Sequence, residues 1–162
     1  MSVQDLPSPW QGDPPGGAAP TWACTRRFQA QSTIVSIELL GLNQTLIQLG
    51  LPIEQLFSLE LVLAEILNNV VEHAYQDRGE GQIELTVSVR DGSIYCGVSD
   101  FGSPMPGGIL PPARRHSPKA LALQDLPEGS FGWALIRDLT TGLDYSRNEG
   151  VNRLTFRIDL QG

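Results

Sequence analysis

The sequence of 162 residues predicts an α/β protein, a two-layer sandwich in which a mixed, largely antiparallel β-sheet is covered on one face by helices. Two observations support this prediction. Alternating apolar and polar residues flank the turn signals Asp91-Gly92 and Asn148-Glu149-Gly150, as expected of two strand pairs. Apolar residues spaced three and four apart predict helices near 32–49, 58–76 and 132–141. A chain of 162 residues is long enough for one domain with a buried core of this kind.

The N-terminal part of the chain divides into a tail and the start of a domain. Residues 1–20 are rich in Pro, Gly and small polar residues, so we expect a flexible tail followed by a domain over 21–162. Alternation over Trp22–Phe28 predicts a first strand. A helix opens at Ser32 and ends before Gly50 and Pro52, where a helix cannot easily continue.

The second predicted helix carries a polar stripe on an otherwise apolar surface. Ser58 is its predicted N-cap, and Glu65, Asn68, Asn69 and Glu72 fall within a sector of about 100°. A carboxylate and carboxamides on a buried helix need a partner, and a hydrated magnesium ion could accept the oxygens of Glu65 and Asn69, four residues apart. This segment alone fits equally well a helix with one solvated strip.

The second half of the chain alternates between strands and glycine-rich segments. Strands are predicted at Ile83–Val89 and Ile94–Val98, and the second ends at Asp100. Periodicity is lost over about 101–128, which predicts a functional lid or a disordered segment. Gly129 to Gly132 then form a turn that leads into the third helix.

Bulk composition excludes some functions. The net charge is -7, and no basic cluster is present, so a nucleic-acid partner is not expected. Cys24 and Cys96 have no metal-ligand spacing and are predicted to be small core residues. No leader pattern or apolar span suggests a membrane, and we therefore expect a reducing, cytoplasmic setting.

Three segments have chemical uses for one nucleotide. A carboxylate at a strand end, Asp100, can accept the exocyclic amine of adenine, and the following Gly102 lets the base approach the backbone. Glycine amides at a helix start, here Gly129 to Gly132, suit phosphates. Magnesium beside Asn69 would bridge these two parts.

The order of these motifs resembles the ATP-binding domain shared by gyrase, histidine kinases and MutL proteins, the Bergerat or GHKL fold. The run from Ala64 to Tyr75 is most similar to the anti-sigma-factor serine kinases of bacterial partner-switching systems. The resemblance implies ATP and Mg²⁺ as cofactors. It also implies two protein partners, a STAS-type antagonist that is phosphorylated and a sigma factor that is sequestered, and pairing of two copies through the first strand and helix.

The resemblance also assigns roles to individual residues. Glu65 would assist attack of a serine hydroxyl on the γ-phosphate, and Asn69 would bind magnesium. Adenine would contact Asp100 and Gly102, with Thr155 near the base. The remaining matches form the phosphate-binding loop: Gly129, Ser130, Phe131 and Gly132.

The chain departs from the family pattern in the phosphate loop. Ser130 replaces one of the glycines, and no Lys or Arg occurs between Ala120 and Trp133, so charge stabilisation would depend on magnesium, backbone amides and lid residues. The alternative is a catalytically weak nucleotide-sensing module, or a partner-switch regulator with a target other than a sigma factor. Asp100-Phe-Gly102 is also found in eukaryotic-type protein kinases, but their other motifs and the Walker loop are missing.

Overall fold

A computed structural model describes residues 19–112 and 130–160. The predicted tail therefore lies almost wholly outside the described residues, as does most of the predicted lid. The described chain forms one five-stranded sheet in the order β1-β2-β3-β5-β4. Its strands are β1 (Trp22–Gln29), β2 (Gln82–Arg90), β3 (Ser93–Asp100), β4 (Thr141–Asn148) and β5 (Val151–Asp159).

The predicted two-layer α/β architecture is confirmed. Hairpins join β2 to β3 and β4 to β5, and β5 pairs with β3 at the centre. All four strand pairings are antiparallel. The sheet is therefore wholly antiparallel, and the prediction of a mixed sheet is wrong: the helical connection from β1 to β2 also returns the chain in the antiparallel sense.

Three α-helices cover one face of the sheet: α1 (Ser32–Gln48), α2 (Ile53–Asn69) and α3 (Ser130–Leu139). The prediction that Ser58 is the N-cap of α2 is wrong. The helix begins five residues earlier, and the Ser58 hydroxyl donates to the Glu54 carbonyl oxygen at 3.2 Å inside the first turns. Pro52 precedes the helix, where its missing N–H costs nothing, so the start is set there.

The core lies between the helices and one face of the sheet. Alternate residues of β2, β3 and β5 face it, together with the inner stripes of α1 and α2. Cys96 is buried as predicted, and Cys24 packs against the same core. Within the described part of the chain, no helix is long and apolar enough to cross a membrane.

Candidate functional site

A cavity of about 540 Å³ opens between the helix layer and the sheet. Its volume lies within the usual range for small-molecule sites. Most of its wall is apolar and comes from α2, β3, β5, α3 and the segment 103–112; the lining includes Ile66, Val70, Ala74, Val98, Met105, Trp133 and Leu154. A few polar groups, chiefly Asn69, Asp100 and Asn152, also line the cavity. An apolar slot with a few fixed polar groups suits a flat heterocycle.

Asp100 is the buried acid of this cavity, at the C-terminal end of β3 and only 4% exposed. Its Oδ1 atom accepts hydrogen bonds from the Gly102 N–H at 2.9 Å and the Asn152 Nδ2 at 2.8 Å. Burial raises the pKa of Asp100, while these two bonds and the nearby charge of Arg147 act in the opposite direction. No hydrogen bond to Oδ2 occurs within the described residues, so this oxygen can accept a hydrogen bond from a ligand.

Asn152 fixes the orientation of Asp100. Its Oδ1 atom accepts from the Tyr145 hydroxyl and from Arg147 Nη1, each at 2.7 Å. The amide oxygen is therefore identified by its two donors, and the Nδ2 group must face Asp100. Nδ2 also donates to the carbonyl oxygens of Gly102 and Ser103, at 3.2 and 3.0 Å. One buried carboxamide thus ties the acid to the segment that forms the cavity rim.

A π-helical turn, Val70–Ala74, follows α2 and holds the same rim from the other side. The Ala74 carbonyl oxygen accepts from the Ser103 N–H at 2.8 Å. A Cβ atom on Gly102 would lie 2.5 Å from that oxygen, so only glycine allows this approach. π-Turns inside helices are frequent at functional sites, and this one brings the end of the helix against the end of β3.

Tyr75 completes the support of the strand end. Its hydroxyl accepts from the Phe101 N–H at 2.9 Å and donates to the Gln82 carbonyl oxygen at 2.7 Å. Burial raises the pKa of Tyr75, which keeps the hydroxyl available as a donor. Its ring packs over Gly81, where any Cβ would collide with it.

Glu65 and Asn69 lie on α2, one turn apart, in different surroundings. Asn69 lines the cavity, whereas Glu65 is at its boundary and contacts the first turn of α3. A Cβ on Gly132 would stand 2.5 Å from the Glu65 Oε2 atom, so glycine makes room for the carboxylate there. A carboxylate is electrostatically favoured beside a helix N-terminus.

These residues fit a magnesium ion that arrives with a nucleotide. Within the described residues, no group of three or more His, Cys, Asp or Glu side chains could hold a metal by itself. Magnesium usually keeps several waters and takes one or two protein oxygens together with substrate phosphates. The Asn69 amide could supply one such oxygen, and the Glu65 carboxylate lies one turn away.

The other predicted site residues have different outcomes. Gly102 lies beside Asp100 at the rim, and its contact with adenine stays a prediction. Gly129 lies outside the described residues; Ser130 and Phe131 belong to the start of α3, but their side chains are not described. Thr155 does not line the cavity and alternates with Leu154, which does, so this geometry does not favour the prediction that Thr155 lies near the base.

Sequence analysis missed Asn152, Tyr145 and Arg147, which hold the acid in place. A signal for Asn152 was available in the alternation of β5. It has the same parity as Leu154 and Phe156, so it faces the helices, and it pairs directly with Asp100. Trp133 both packs on the core and lines the cavity.

Comparison with known proteins identifies the family. The histidine kinase-like ATPase domain matches residues 30–158. The chain belongs to this family. The match spans all three α-helices and strands β2 to β5, apart from the last residue of β5, whereas β1 lies outside it. The predicted GHKL resemblance is thereby confirmed.

Individual relatives agree with this assignment. The serine/threonine-protein kinase BtrW of Bordetella bronchiseptica is 33% identical over 99 residues, which are 61% of this chain and 67% of that protein. An anti-sigma F factor of Bacillus licheniformis is 25% identical over 80 residues, 49% of this chain and 55% of that protein.

Similarity to a solved structure supports the fold alone. The structure of the RsbU and RsbW domains of Rv1364c from Mycobacterium tuberculosis superposes with a TM-score of 0.61 at 18% identity. It covers 88% of this chain, which spans only 33% of that longer protein.

Proposed function

We propose that this protein binds ATP with Mg²⁺ and transfers the γ-phosphate to a serine of a STAS-type antagonist protein, while another surface sequesters a sigma factor. The observation that carries the proposal is the buried Asp100, held by Asn152 and Gly102 at the wall of an apolar cavity large enough for a nucleobase. Membership of the ATPase domain family supports ATP as the ligand.

Adenine fits this acid better than guanine does. The Oδ1 atom of Asp100 already has two donors, and Oδ2 can accept from the 6-amino group of adenine. Guanine would place its O6 acceptor against the same carboxylate, and two acceptors in an apolar cavity repel. We therefore expect ATP to be preferred over GTP.

In this proposal, Asn69 supplies an oxygen to magnesium, which would neutralise phosphate charge when bound. Glu65 orients the serine hydroxyl or accepts its proton, and Gly132 leaves room for that carboxylate. Gly129, Ser130 and Phe131 would contribute backbone amides to the phosphates at the start of α3. The lid over about 101–128 would close over the nucleotide.

The partner assignment rests on the relatives. One relative is named a serine/threonine-protein kinase and another an anti-sigma factor, which supports both parts of the proposed role. The second candidate is a nucleotide-dependent binding module without phosphotransfer. It is favoured by Ser130 in the glycine loop and by the lack of Lys or Arg from 120 to 133.

The test separates binding from transfer. Glu65→Gln keeps the volume and the contact with Gly132 but removes the base, so we expect ATP affinity within a few-fold of wild type and loss of labelled phosphoserine on the antagonist. Asn69→Ala should instead abolish the magnesium dependence of ATP binding. Equal phosphotransfer by wild type and Glu65→Gln would contradict the role of Glu65. Tight ATP-dependent binding of the antagonist by wild type, without label, would favour the binding module.

A further inference from the structure

The outer surface of the α1–α2 hairpin is unusually apolar. Of the eight large apolar side chains that are exposed in the described part of the chain, seven lie between residues 37 and 61. We refer to these seven as the hairpin patch: Ile37, Leu40, Ile47, Leu49, Ile53, Phe57 and Leu61. Contiguous exposed apolar surface of this kind is typical of an interaction site.

The patch residues flank one seam. The helices are joined by the short segment 49–52, so they run antiparallel, and the Asn43 Nδ2 donates to the Glu60 Oε2 at 3.0 Å across the seam. On α2, the three patch residues are spaced four apart and therefore form one stripe. Leu40 and Ile47, seven apart on α1, form a second stripe. Two apolar stripes beside a seam between helices make a shallow groove suited to a third helix.

Charge around the patch has one sign. Residues 28–72 contain five Glu and no Lys, Arg or His. Glu38 is neutralised by Arg26, with 3.1 Å between Arg26 Nη1 and Glu38 Oε2. For Glu54 and Glu60 no basic partner is found within the described residues, and both lie within three residues of a patch side chain. The apolar surface is thus bordered by uncompensated negative charge.

The negative charge around the hairpin patch distinguishes among the segments that could bind there. The N-terminal tail, residues 1–20, carries Asp5 and Asp13 and no basic side chain. A second copy related by a two-fold axis would set two patches with the same negative border, including Glu54 and Glu60, against each other. Neither occupant complements the patch, whereas a helix with an apolar stripe and flanking Lys or Arg would match it in both respects.

We propose that the hairpin patch docks a basic amphipathic helix of a partner protein. The patch lies on the outward face of α1 and α2, away from the cavity, and the inference does not depend on nucleotide binding. Phe57, at 63% exposure, and Ile53, at 76%, are its most prominent anchors on α2. The two glutamates would steer the approach of the helix and fix its orientation.

The experiment uses the full chain and two labelled 18-residue peptides. Both have leucines spaced three and four apart; one has lysines at the remaining positions and the other glutamates. We expect saturable binding of the lysine peptide, seen by fluorescence anisotropy, weakened by salt and by Glu54→Gln, and no binding of the glutamate peptide.

Two variants distinguish binding of the lysine peptide at the hairpin patch from its general electrostatic attraction to an acidic protein. Phe57→Ser should weaken binding of the lysine peptide at least tenfold, because the ring would be buried in the complex. Ile109→Ser is the matched control, since Ile109 is also exposed, at 67%, but lies off the hairpin; it should leave affinity unchanged. Circular dichroism and urea unfolding report whether both variants fold.

Three results would overturn the proposal. The lysine peptide could fail to bind, both peptides could bind equally well, or Phe57→Ser could have no more effect than Ile109→Ser. Sedimentation gives the remaining arm: if wild type is a dimer that does not take up the peptide and Phe57→Ser is a monomer, the patch is an interface between two copies.

Discussion

Asn152→Leu should remove hydrogen bonds that orient Asp100 in the cavity. Asn152 is 5% exposed and makes hydrogen bonds with Asp100, Gly102, Ser103, Tyr145 and Arg147. Leucine has a similar volume but no polar group, so the change removes these bonds without opening a large cavity. The deletion therefore tests the hydrogen bonds rather than the packing.

The expected cost follows from which groups lose their last partner. Asp100 keeps the Gly102 N–H, and the Gly102 carbonyl oxygen keeps Arg147 Nη1 at 2.8 Å, so those losses are partial. The Ser103 carbonyl oxygen loses its bond from Asn152, the Tyr145 hydroxyl loses its acceptor but still accepts from the Met105 N–H at 3.0 Å, and the bond to Asp100 involves a charge. At about 1 kcal/mol for each of these two neutral bonds and about 2 kcal/mol for the charged one, we expect a loss of about 4 kcal/mol in the free energy of unfolding. This corresponds to a fall in Tm of roughly 10 °C.

Urea unfolding followed by circular dichroism measures this loss, and titration with ATP and Mg²⁺ measures binding. ATP affinity should fall about tenfold or more, because Asp100 is no longer oriented. Thr155→Val is the matched control, on the same strand but alternating with the residues that face the cavity; it should leave ATP affinity unchanged. A loss below 1 kcal/mol for Asn152→Leu, or an equal fall in ATP affinity for both variants, would refute the assignment of Asn152 as the support.

Two further predictions concern the acid and the rim. Burial raises the pKa of Asp100, so the folded protein holds the neutral carboxyl more tightly than the unfolded chain does. The stability that the neutral carboxyl contributes is fully present below the ordinary pKa of 3.8, and it is lost as the pH rises through the raised pKa. Asp100→Asn should therefore unfold at a higher urea concentration than wild type at pH 7 yet bind ATP at least tenfold more weakly, and wild-type affinity should decrease as the pH falls through that raised pKa; lower stability of Asp100→Asn at pH 7 would contradict this. Gly102→Ala should lower the free energy of unfolding by about 2 kcal/mol or more and weaken ATP binding, because its Cβ would meet the Ala74 carbonyl oxygen. Gly92→Ala is the control: an added Cβ there has no atom within 4 Å, so this change costs only the strain of the positive φ. Equal losses for the two alanine variants in chemical denaturation would show that the close approach at Gly102 is unimportant.

Local chemistry made much of the fold predictable. The hairpin at Asp91-Gly92 forms as predicted, with Asp91 and Gly92 both at positive φ, because the flanking alternation fixes which residues face the core. The start of α2 was mispredicted because Ser58 is a good N-cap residue by type, yet Ile53 to Phe57 continue the helix and Pro52 provides an earlier start. Capping chemistry indicates candidates, and the tertiary environment selects among them.

The candidate site was only partly predictable. Asn69 and Asp100 line one cavity and Gly102 is bonded to Asp100, while their joint role in nucleotide binding stays a prediction. The family resemblance predicts Thr155 near the base, whereas strand parity favours Asn152, which pairs with Asp100 across β3 and β5. Tyr145 and Arg147 reach Asn152 across the predicted hairpin of β4 and β5. The pairing of β5 with β3, which brings this group to Asp100, is a topology that no local pattern encodes.

The sequence alone determined the helices and strands, the polar stripe on α2 and the acid at the end of β3, because each depends on neighbours a few residues away. Only the tertiary structure decided how the acid is held and where the hairpin patch lies. Those features depend on residues distant in the chain, such as Asp100 and Asn152, which meet because β5 inserts beside β3. Packing of the α1–α2 hairpin against the sheet likewise buries one face of the two helices and leaves the other exposed. Residue type alone did not indicate which face is buried, since both faces of the hairpin carry large apolar side chains.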